Sequence, residues 1–138
     1  TKRRSARPAS RTRRTIRLGV AGLFAASGAL HLVRPSAYDD FLPDWTPNPV
    51  AVNVAAGVVE LVCAAGLVTR QRWAGPLSAV TLLAVWPSNL WFAIDATAQD
   101  GLASPQALLG WARMPLQIPM IWAVLAPVVD EPAAAQMV

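Results

Sequence analysis

Val50–Val68 reads VAVNVAAGVVELVCAAGLV, nineteen residues interrupted by one charge, Glu60. As a helix, rising ~1.5 Å per residue, it spans about 28 Å, close to the ~30 Å core of a bilayer. A strand would need only about ten alternating residues, so a β-barrel is excluded. Outward from this stretch, three more apolar runs cover residues 18–33, 73–94 and 107–129. A lone helix satisfies its own backbone in lipid. The four runs therefore predict an all-α, integral membrane four-helix bundle. The core domain is expected at 18–129, between a basic tail at 1–17 and a loose, Ala-rich tail at 130–138.

Composition agrees. Charged residues make up 14 % of the chain, against roughly 25 % in a soluble domain. Positions 18–129 hold ten charges in 112 residues, too few to solvate a water-soluble bundle. The single cysteine, Cys63, allows neither an internal disulfide nor a CxxC pair within this sequence. The connections are rich in breakers. Pro35, Pro43, Pro47 and Pro49 keep 34–49 from continuing a helix, Thr69–Arg72 is a tight turn, and 95–105 carries Asp100-Gly101 and Ser104-Pro105.

Orientation follows the basic residues. Eight of the twelve Lys and Arg lie within the first 17 positions, and Arg70 and Arg72 occupy the turn after the second run. The other two loops carry Asp39, Asp40, Asp44, Asp95 and Asp100 against Arg34 alone. Both termini are expected in the cytoplasm of a multi-pass protein of the bacterial cytoplasmic (inner) membrane. Trp45, Trp73, Trp91 and Trp111 fall near the expected interfaces. Arg13-Arg14-Thr15-Ile16-Arg17-Leu18 has the look of a twin-arginine signal. The preferred reading is a basic tail against anionic lipid. Nucleic acid is excluded as a partner, because no aromatic residue interleaves with the arginines.

Polar residues inside the runs carry the chemistry, since a charge at mid-bilayer costs at least ~2.5–3.5 kcal/mol. His31, Asn53, Glu60, Asn89, Arg113 and Gln117 all fall between the outer surface and the midplane. His31 and Asn53 lie ~5 Å deep, Asn89 and Arg113 ~8–9 Å, Glu60 and Gln117 ~15 Å. Asn53, Gly57, Glu60 and Ala64 share one helical face, and Arg113 and Gln117 share another. The expectation is a Glu60–Arg113 ion pair within one outward-opening polar pocket. Such a pair would either only fix helix register or hold a small ligand or quinone head group. His31 reads first as a capping or interfacial residue, and second as a proton or hydrogen-bond donor to a ligand. One His and one Cys make no metal set, so no metal is expected. Cys63 reads as a packing residue. Pro87, Pro115 and Pro119 free the carbonyls of Leu83, Trp111 and Pro115, which Arg113, Asn89 or Gln117 would satisfy.

A set of short pieces lies in order along the chain: Ser27-Gly28-Ala29-Leu30-His31 with Pro35, Phe41-Leu42-Pro43, Gly57-Val58-Val59-Glu60-Leu61, Trp86-Pro87-Ser88-Asn89, and Trp111-Ala112-Arg113-Met114-Pro115-Leu116-Gln117. In that order the chain resembles the DoxX-like family of small four-span bacterial membrane proteins. The resemblance implies a four-helix membrane fold. Family members are described as parts of membrane oxidoreductase assemblies, and the related DoxD proteins as quinone-linked thiosulfate-oxidising subunits. The lack of CxxC speaks against direct thiol–disulfide exchange. The function expected is thus an auxiliary subunit of a membrane redox or envelope complex. The alternative is an oxidoreductase subunit handling a quinone or small redox substrate through Glu60, Arg113 and His31. No catalytic residue is assigned, and a quinone is the sole cofactor candidate. The partners expected are the bilayer and another membrane protein or a second copy.

Overall fold

The structure, a computed structural model, describes residues 8–126. Among them there are four α-helices, one 3-10 helix and no strand. Helix α1 is Pro8–Val33, the 3-10 helix Pro35–Phe41, α2 Pro49–Val68, α3 Ala74–Asp100 and α4 Pro105–Val124. The starts of α2 and α4 share one device. A proline takes the first turn, where its missing N–H costs nothing, and the residue before it caps the helix. Asn48 accepts from the Ala51 amide at 3.1 Å, and Ser104 from Ala107 at 3.2 Å. Gly101, at φ 85°, ends α3 in a backbone region that penalises other residues.

Several boundaries differ from the hydropathy reading. Helix α1 begins at Pro8 rather than 18, because arginine is a good helix former and apolarity marks the lipid-soluble part only. Helix α3 continues to Asp100 through residues read as loop, where Gln99 donates to Asp95 at 2.7 Å one turn back. Helix α4 ends at Val124, and the expected tail at 130–138 lies outside the described residues. Within the proline-rich connection, Pro35 opens a seven-residue 3-10 helix.

Consecutive helices run antiparallel in a ring. Helix α1 packs on α2 and α4, and α3 packs on α2 and α4. The 3-10 helix lies across α1, α2 and α3 at one end. The apolar core sits toward the other, chain-terminal end: Val20, Ala21, Phe24, Cys63, Ala64, Leu67, Leu82 and Val124. Cys63 packs there, its sulfur 3.7 Å from the Thr81 hydroxyl. Three helices are long and apolar enough to cross a membrane: Arg11–Val33, Pro49–Val68 and Ala74–Asp100. Only 28–39 % of their most apolar windows is buried within the bundle. Leu23, Val58, Val62, Val80, Leu83 and Ile94 all face outward. That is the profile of a membrane protein, since water would not tolerate so continuous an apolar surface.

Candidate functional site

Helices α1 and α2 meet backbone to backbone at Gly28 and Gly57. A Cβ on Gly28 would sit 2.8 Å from the Gly57 carbonyl oxygen. One on Gly57 would sit 2.6 Å from the His31 Cβ. Small residues allow such approach, and in lipid close packing holds helices together. The crossing draws in one polar side chain from each helix. His31 is 7 % exposed and lies beside Gly57, while Glu60, 5 % exposed, lies beside Gly28. His31 Nδ1 and Glu60 Oε2 are both buried without a hydrogen-bond partner. The Ser27 side chain faces the Glu60 carboxyl. Its hydroxyl lies 2.9 Å from that of Tyr38.

Tyr38 comes from the 3-10 helix, and its ring stacks on His31 at 3.5 Å and 12°. The ring sequence continues through Phe41, 5.9 Å from Tyr38, to Phe92, stacked on Phe41 at 4.3 Å. Arg113 of α4 closes the row, its guanidinium 4.9 Å from the Phe41 ring and 5.9 Å from that of Phe92. Asn53 anchors the 3-10 helix, donating to the Pro35 carbonyl at 3.1 Å and to Asp39 at 3.3 Å.

The expected grouping of six is therefore divided. His31, Asn53 and Glu60 gather on the α1–α2 side under the 3-10 helix. Arg113 lies across the aromatic rings and forms no ion pair with Glu60. The Glu60 face of α2 is turned to α1, whereas α4 packs on α1 and α3. Asn89 is half-buried on α3. Gln117 belongs to a separate groove of about 180 Å³, with Leu83, Trp86, Ile118 and Ile121. Its amide donates to the Leu82 carbonyl at 3.3 Å, one residue before the carbonyl that Pro87 frees, and its Oε1 is left without a partner. That groove includes one of the six residues.

Tyr38 and Ser27 were missed as site residues. A usable signal existed for Ser27, four residues before His31 and hence on the same face. Tyr38 is the only tyrosine of the chain, but its arrival over His31 depends on the 3-10 turn. Among the described residues no three His, Cys, Asp or Glu are grouped to hold a metal ion.

The helices and their outward apolar faces define an all-helical membrane protein. Residues 20–127 match the family model described as "Domain of unknown function (DUF8561)", and the chain belongs to that family. The match overturns the DoxX-like resemblance. The pieces behind it include the crossing glycines Gly28 and Gly57 and the helix-internal prolines Pro87 and Pro115, features of helix geometry that do not specify a family. No curated protein and no solved structure matches the chain.

Proposed function

We propose that the chain is a four-span protein of the bacterial cytoplasmic membrane, an auxiliary subunit of a membrane complex that holds a polar head group at the His31–Glu60 crossing. Helix α4 supports the fourth span. It lies against α3 from Gly110 beside Ala93 to Gly75 beside Val124. Those fifteen α4 residues, fourteen rises of ~1.5 Å, correspond to ~21 Å of shared path with a helix long enough to cross. The charge asymmetry supports cytoplasmic termini. A cysteine at Ser36 should then react with an impermeant reagent from outside, and one at Gln71 should not; the reverse pattern refutes the orientation.

One observation carries the binding role: His31 Nδ1 and Glu60 Oε2 are buried and unpartnered on facing helices. An unsatisfied buried polar atom costs about 1–3 kcal/mol. A head group presenting a donor beside an acceptor would recover that cost for both. The flat His31–Tyr38 stack beside the pair favours a ring-shaped group, which keeps a quinone among the candidates. A partner is supported by α1, where a Cβ on Gly19 or Gly22 would meet nothing within 4 Å. A second helix can approach closely there. Native mass spectrometry of the full chain from mild detergent tests the binding role. Wild type should carry a bound amphiphile that His31→Ala and Glu60→Ala both lose. An unchanged ligand complement in both variants refutes the reading.

A further inference from the structure

At the end of the bundle away from His31, a cavity of about 360 Å³ opens between Arg17, Arg72, the first turn of α3 at Gly75 and Pro76, and the last residues of α4. This is roughly ten times the ~30 Å³ share of a water molecule. Among the described residues, no acidic one lines it. Arg17 has five N–H donors, yet among the described residues its one hydrogen bond runs from Nη1 to the Ala126 carbonyl at 3.4 Å. That is long for an N–H···O bond, which prefers ~2.7–3.2 Å. Its Nη2 is buried and has no partner. Capping the end of α4 therefore uses little of what this guanidinium offers. The charge of Arg70 also acts on Arg17, from the α2–α3 turn. The cavity thus lies between the Arg17 guanidinium of α1 and the α2–α3 turn, and the first turn of α3 adds the positive end of its dipole. A tetrahedral oxyanion matches the forked donors of arginine better than a halide does.

We propose that this cavity binds a phosphate-type anion, supplied by the head group of an anionic lipid or by free phosphate, with Arg17 as its principal ligand. The site is separate from the His31–Glu60 crossing and does not depend on it. It also differs from general attraction of the basic segment to anionic lipid, because it assigns the binding to the guanidinium of Arg17, whose Nη2 is buried.

The test uses the full chain in nanodiscs of mixed phosphatidylglycerol and phosphatidylcholine, followed by native mass spectrometry of the lipid that stays bound. Wild type should retain phosphatidylglycerol selectively. Arg17→Gln should lower that retention about tenfold, the effect of losing a charge-assisted hydrogen bond of ~1.5 kcal/mol. Arg17→Lys should fall between them, keeping the charge and losing the fork. Arg14→Gln, at an exposed position of the same helix, should match wild type. Inorganic phosphate titrated into the wild-type nanodiscs separates the two sources. Displacement at millimolar phosphate identifies free phosphate as sufficient, and its absence identifies the lipid head group. Equal retention by wild type and Arg17→Gln overturns the proposal. So does an equal loss in Arg14→Gln, which would show diffuse attraction to the basic segment.

Discussion

Toward the chain termini the four helices press Val20, Phe24, Leu67, Leu82 and Val124 into an apolar core, each at most 3 % exposed. Toward the 3-10 helix the same four helices enclose His31, Asn53, Glu60 and the aromatic row under Arg113. The first region needs only shape: any side chain that fills the space serves. The second depends on who meets whom, and it leaves polar atoms unmet at a cost the first region must offset. The apolar core and the polar crossing are thus placed toward opposite ends of the same helices. Substitutions at the two ends should fail in different ways.

The largest effect is expected where packing alone is removed. Leu67→Ala should cost about 2–5 kcal/mol, read as a lower unfolding midpoint in detergent, and should leave ligand retention per folded molecule unchanged. Gly57→Ala should come next, at about 1–3 kcal/mol, because its Cβ must displace His31. Unlike Leu67→Ala, it should also abolish binding at the crossing, so equal behaviour of the two variants would erase the contrast between the ends. Asn53→Ala should cost about 1 kcal/mol and release the 3-10 helix, seen as faster labelling of a cysteine at Ser36. Unaltered labelling would show that the ring stacks hold the segment without Asn53. The smallest change belongs to Glu60→Gln, expected within about 1 kcal/mol of wild type because it keeps an acceptor and removes the cost of burying a charge. Glu60→Ala should lose more. If glutamine proves as damaging as alanine, the negative charge itself is required at the crossing.

Hydropathy located α2 almost to the residue, because Pro49 opens it and its body is apolar throughout. Asn48-Pro49 and Ser104-Pro105 carry the chemistry of a helix start in adjacent residues, so local reading finds both. The glycine–glutamate face of α2 was legible for the same reason, being set by helical spacing. The partner of that face was not. Spacing says that Glu60 and Gly57 point the same way, but not that α1 rather than α4 lies opposite. Pairing the only two mid-span charges was the economical solution, and the fold instead gives Arg113 the rings of Phe41 and Phe92. Those rings are 51 positions apart in sequence, joined by packing that no local pattern encodes. Tyr38 is hidden for another reason: only seven positions from His31, its place over that ring is fixed by the 3-10 turn that follows Arg34.

The contact between the first and last helices bears on how the protein is made. Arg13 lies 4.0 Å over the Trp122 ring, and Arg17 reaches Ala126, so the ring of helices is sealed by residues more than a hundred positions apart. During synthesis α1 and α2 can pair as soon as Val68 has emerged, and the glycine crossing is complete at that stage. The seam cannot form until α4 is made. A ribosome paused within α3 would therefore hold a finished first hairpin beside an open flank. That flank, rather than the crossing, is where an insertion factor or a premature neighbour would find its opportunity.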